Sequence, residues 1–139
     1  MRSGWLVVAL MACDGGGKDP ADDTDPVAET PTYSGEVQGI FDRHCASGGC
    51  HGGPELQTGL DLSPGQGHAL LVGVPSTGLP SMDRVAAGDP DNSYLILKLR
   101  GTFEEAGGSG DLMPPGFLPL ADNDIQVVVD WIAAGALDD

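Results

Sequence analysis

Cys45-Ala46-Ser47-Gly48-Gly49-Cys50-His51 sets two thiols and one imidazole within seven positions, the second thiol directly before the ring. Four residues separate the cysteines, two of them glycines. Glycine tolerates positive φ, so Gly48-Gly49 lowers the steric cost of looping out the chain between the thiols. Upstream, Val37, Ile40 and Phe41 recur at i, i+3 and i+4, the helical period, and Ser34 offers a cap oxygen. This helix runs directly into Cys45 and delivers it in a fixed orientation. A Gly- and Pro-rich loop follows His51.

Farther along, short helical patterns alternate with loops. Gly67 to Val72 reads as a short helix. Asp89-Pro90-Asp91-Asn92-Ser93 supplies turn and cap chemistry before a third helix over Tyr94 to Leu99. The loop from Gly101 to Leu118 carries Gly107-Gly108 and Met113-Pro114-Pro115-Gly116. The last helix spans about Asp122 to Ala134, with Ile125, Val128, Val129 and Ile132 at helical spacing, Trp131 flanking them and Leu120 packing back. Asp122 and Asp124 suit the positive end of its dipole, while Ala121 has no cap oxygen. No segment alternates convincingly with period two. The expectation is a small all-α domain of about four short helices with long Gly- and Pro-rich loops.

Aromatics make up 5% of the 139 residues, against 22 Gly and 11 Pro. A domain of this size ordinarily fills its core with large apolar groups. A bound cofactor or a cross-link is therefore expected to supply part of the interior. The formal charge of −15 disfavours nucleic acid and anionic membranes as charge partners and favours a basic protein. The plainer reading is that acidity keeps an exported protein soluble.

Export is indicated by the first residues. Met1-Arg2-Ser3 is a short basic start, and Gly4 to Ala12 is an apolar run shorter than the ~20 residues of a spanning helix. Leu10-Met11-Ala12-Cys13 resembles the bacterial lipoprotein signal box, in which the cysteine is acylated and heads the mature protein. The alternative is an ordinary secretory signal with an incidental Cys13. Asp14 to Thr32 is acidic, rich in Gly and Pro and without apolar period, which suits a disordered tether. The expected organisation is a signal peptide at 1–12, a lipidated N-terminus and linker at 13–33, and one folded domain at 34–139.

With Cys13 lipidated, the remaining two of three cysteines form the pair Cys45 and Cys50, outside the reducing cytosol. Three chemistries compete for them. A Cys-x-x-Cys-His run attaches a c-type haem. The longer gap here is compatible, because the Cys50–His51 link fixes the ring beside one thioether and the surplus residues loop out at the glycines. The second chemistry is a plain Cys45–Cys50 disulfide. The third is zinc held by His44, Cys45, Cys50 and His51, although adjacent ligands strain a tetrahedron. Haem iron also needs a ligand opposite His51. A Met thioether is usual in electron-transfer cytochromes c and raises the potential. Met113 is the first candidate, since Pro114-Pro115 stiffen its backbone, though Met can also fill a core gap. Met82, after Pro80-Ser81, is the second, and a bis-histidine iron through His68 stays open. His44 by itself reads as a solvated helix residue.

The segments IFDRHCASGGCHGG, GLDLS, VPST, AAGDPDNSYLILKLRG, LMPPG and VVVDWIAAGA follow one another across residues 35–137. In content and order they resemble the monohaem cytochrome c-like domains of bacterial exported lipoproteins. The four-residue gap departs from that family's haem motif. The resemblance implies a cytochrome c fold whose first and last helices cross beside the haem, with Ile40 and Phe41 against Val128 and Trp131. It implies one covalent haem c, with Cys45 and Cys50 as thioether residues, His51 as proximal ligand and Met113 as distal ligand.

The function expected is electron transfer without substrate chemistry, by a lipid-anchored protein of the bacterial envelope facing the periplasm or the exterior. Its partners would be redox proteins, basic ones favoured, and not nucleic acid. No catalytic dyad, phosphate loop or basic patch stands out. The alternative is a haem-free exported lipoprotein with a structural Cys45–Cys50 disulfide, serving binding or envelope structure.

Overall fold

The computed structural model describes residues 29–116 and 118–139. The expected signal peptide at 1–12, the expected lipidation site Cys13 and the expected linker up to residue 28 lie outside the described residues.

The fold starts at Thr32. Its Oγ1 accepts the Gly35 N–H at 3.2 Å, and its own N–H and hydroxyl each donate to the Glu36 carboxylate at 2.9 Å. The cap oxygen therefore comes from Thr32 and not from Ser34. The reason lies in Tyr33, which is only 3% exposed and whose N–H donates to the Asp139 carboxylate at 2.8 Å. With Tyr33 anchored, the turn starts two residues earlier than a Ser34 cap would place it, and Ser34 lies inside it. Tyr33–Val37 is a π-helical turn leading into α1, Gln38–His44. The N–H groups of Cys45 and Ala46 both close on the Phe41 carbonyl at 2.8 Å, so α1 delivers Cys45 directly.

Three further α-helices follow: α2 at Gly67–Leu71, α3 at Tyr94–Arg100 and α4 at Asp122–Ala133. The described residues contain no strand, and the molecule is a small all-α fold with long loops. Ser93 precedes α3 but does not cap it with its side chain. Its buried hydroxyl donates to the Asp89 carbonyl at 2.8 Å and accepts the Ala86 N–H at 2.9 Å, which ties down the preceding loop instead. α3 stops at Gly101, whose left-handed φ of 74° is the usual glycine exit from a helix.

The core gathers both ends of the chain. Ile40 and Phe41 of α1 share one buried cluster with Val128, Trp131 and Ile132 of α4, and Leu120 joins it. Tyr33 sits among them, 5.3 Å from the Trp131 ring and 6.2 Å from the Phe41 ring, centroid to centroid. The C-terminal tail closes the cluster: the Trp131 indole N–H donates to the Leu137 carbonyl at 2.9 Å and Ser34 N–H to the Asp139 carbonyl at 2.9 Å. Arg43 and His44 at the end of α1 lie 3.9 and 3.8 Å from the Asp124 carboxylate on α4. These exposed pairs set register more than stability, since such contacts contribute about 1 kcal/mol at most. Among the described residues no helix is long and apolar enough to cross a membrane.

Candidate cofactor-binding site

The segment between the two cysteines folds into a closed loop. His51 N–H donates to the Cys45 carbonyl at 3.1 Å, and Cys50 N–H to the Ser47 carbonyl at 3.1 Å. Gly49 takes a φ of 85°, so the expected relief by glycine occurs at one of the two positions. Gly52 is needed for a different reason: a Cβ there would run into the Ala46 carbonyl. The surplus residues of the longer gap are thus absorbed in a tight ring that sets Cys45, Cys50 and His51 on one side of a cavity.

That cavity measures about 490 Å³, within the ~300–1,000 Å³ usual for cofactor and small-molecule sites. Leu60, Leu62, Leu71, Leu95 and Leu99 form most of its apolar wall. Met113, Pro114 and Pro115, from the loop before α4, line it as well. The backbone N–H of Met113 donates to the Lys98 carbonyl at 3.2 Å, which seats that loop on the end of α3. All four residues singled out from sequence, Cys45, Cys50, His51 and Met113, therefore border one cavity. Met82 does not line it; this residue sits in a turn where its carbonyl accepts the Ser76 N–H at 2.9 Å. His68 is also elsewhere, packed edge-on against Tyr33 at 5.1 Å with Nε2 donating to the Ala136 carbonyl at 2.7 Å.

The His51 ring is held in one tautomer. Its Nδ1–H donates to the Leu60 carbonyl at 3.3 Å, which leaves the lone pair on Nε2. Burial lowers its pKa from the usual histidine value, the Leu60 hydrogen bond opposes this, and the nearby Arg84 charge lowers it further. Burial pushes the Cys45 thiol up to about 11, with the neighbouring Cys50 adding to the effect. At neutral pH Cys45 is thus a thiol and not a nucleophilic thiolate. Both cysteines are free thiols in the structure.

The described residues contain no group of three or more His, Cys, Asp or Glu side chains able to hold a metal ion. His44, Cys45, Cys50 and His51 therefore do not converge as a zinc tetrahedron. His44 also borders the cavity, but it is exposed at the end of α1 with Nε2 3.8 Å from the Asp124 carboxylate, in keeping with a solvated helix residue.

Two cavity residues escaped the sequence reading. Arg84 and Lys98 both line it, although the chain has only six bases against 21 acids. Arg84 donates from Nη1 to the Leu70 carbonyl at 2.8 Å and from Nη2 to the Thr58 carbonyl at 3.4 Å. Lys98 donates to the Ser109 carbonyl at 3.2 Å and stands 3.9 Å from the Phe103 ring centroid. The rarity of basic residues was the one available signal for them.

No protein-family model, curated protein or solved structure matches the chain.

Proposed function

We propose that this domain is a cytochrome c-like electron carrier of the bacterial envelope, holding one covalently attached haem c. One observation carries the proposal: a Cys-Cys-His loop and a Met-Pro-Pro loop from distant parts of the sequence border the same leucine-walled cavity. The donor set is soft sulfur plus one imidazole, which suits haem iron and two thioether bonds and not an oxygen-seeking ion such as calcium. Cys45 and Cys50 would tether the ring, and His51 and Met113 would hold its iron. When bound, haem supplies a one-electron ferrous–ferric couple.

The chain's own residues do the rest. The Leu60 carbonyl holds the His51 tautomer, and burial keeps its ring neutral and available. The leucine wall excludes water, and Pro114-Pro115 stiffen the loop that presents Met113. A thioether ligand in an apolar site favours the ferrous state and raises the potential. The proposal includes acylation at Cys13, tethering of the domain to a membrane, and redox partners with basic surfaces.

Expression with c-type haem maturation factors tests the axial assignment. The oxidised protein should show a sulfur-to-iron absorption band that Met113→Ala abolishes and Met82→Ala leaves intact. A band that survives in Met113→Ala would refute the assignment.

A further inference from the structure

Lys98 and Arg84 both line the cavity, but their charges are answered differently. Lys98 has acidic neighbours: the Asp111 and Glu104 carboxylates raise its pKa against the lowering effect of burial. Arg84 is partly buried and its pKa is lowered by burial alone, with no carboxylate acting on it. Neither residue forms an ion pair among the described residues, although acids outnumber bases 21 to 6 in the chain; Lys98 instead donates to the Ser109 carbonyl and stands over the Phe103 ring. A partly buried guanidinium without a counter-charge is unfavourable unless something else supplies one.

The side chain is also preset. Arg84 lies where its backbone N–H donates to the Val74 carbonyl at 2.7 Å and its carbonyl accepts the Leu95 N–H at 2.9 Å. Its guanidinium rests on the carbonyls of Leu70 and Thr58. A guanidinium carries five N–H donors, so the remaining ones are free for a planar, two-oxygen acceptor, the geometry that Arg matches best. Haem is an apolar macrocycle bearing two carboxylates. We infer that Arg84, and not Lys98, anchors a carboxylate of the bound macrocycle and thereby fixes which edge of the ring faces it. This inference rests on the haem reading above. Because the Thr58 carbonyl belongs to the segment leading to Leu60, whose carbonyl holds His51, the anchor also braces the loop behind the proximal ligand.

The test uses the full chain, produced without haem attachment and kept reduced, titrated with haem and with haem dimethyl ester, whose carboxylates are masked. The wild type should bind haem about tenfold more tightly than the ester, the size expected of a partly exposed charge-assisted pair. Arg84→Gln should erase that preference by weakening haem binding alone, while Lys98→Gln and Arg100→Gln retain it. If Arg84→Gln fails to fold, as judged by circular dichroism, the other variants decide: a preference retained in both supports Arg84. Equal binding of haem and ester by the wild type overturns the inference but not the haem reading. So does a preference lost in Lys98→Gln. Failure of the wild type to bind either compound also overturns the inference, whereas the haem reading itself is decided by covalent retention of haem after maturation.

Discussion

Gly52 follows His51 and has no room for a side chain, because a Cβ would meet the Ala46 carbonyl. Gly52→Ala should therefore force the Cys45–His51 ring open and disturb the imidazole, whereas Gly48→Ala, which meets nothing, should be tolerated. The comparison is read as the yield of haem-loaded protein per purified chain; equal yields would contradict it. At this scale the sequence was informative about sulfur and nitrogen. Cys45, Cys50 and His51 are chemically distinctive, and their spacing separated them from background. Arg84 was not legible, because a lone arginine carries no pattern. Its meaning depends on which backbone carbonyls and which empty space surround it. Met113 and Met82 were likewise ranked only by neighbouring prolines, and the lining of the cavity now favours Met113.

Among the elements, the helices were legible because each repeats apolar residues at helical spacing. α4 carries the strongest such stripe, and Trp131, 1% exposed, fills the space between it and Tyr33. Trp131→Ala should cost about 3–5 kcal/mol, seen as a lower urea midpoint; a change below about 1 kcal/mol would mean the helix ends do not pack as described. The caps were less legible. Ser34 and Ser93 both have the right side chain, yet Thr32 caps the first turn and Ser93 bonds backward. Each outcome depends on a distant partner, Asp139 for the anchored Tyr33 and the Ala86 turn for Ser93, which local sequence does not display. Thr32→Ala should destabilise the protein by about 1 kcal/mol. The Thr32 N–H and hydroxyl hold the Glu36 carboxyl below the usual glutamate range. Its contribution to stability is thus present above the unfolded value and lost as pH falls through the lower folded one. In Thr32→Ala the Glu36 carboxyl should titrate closer to its ordinary value by NMR; an unchanged titration would contradict the cap.

For the molecule as a whole, the scarcity of aromatics has a physical counterpart. The helices are short, the buried cluster draws on both chain ends, and a leucine-walled cavity occupies the space beside it. The all-α class was legible from period and composition. The convergence of the Met113 loop on the Cys45–His51 ring was expected only through the haem reading and the resemblance, because loops of Gly and Pro give no pairing rule that fixes where they return. With a charge of −15, binding to a basic redox partner should weaken steeply as salt rises. Surface plasmon resonance against a basic cytochrome at low and high ionic strength would check this, and salt-independent binding would contradict it.

The central claim is that the cavity holds haem through bonds to protein sulfur. The most direct measurement is the mass of the denatured protein after expression with c-type maturation factors, together with its pyridine haemochrome spectrum. The proposal predicts haem retained through denaturation, with a haemochrome band at the position of two thioethers. A band displaced toward that of one thioether would leave Cys45 free. Denatured chain without haem, joined at Cys45–Cys50 by a disulfide, would contradict the proposal.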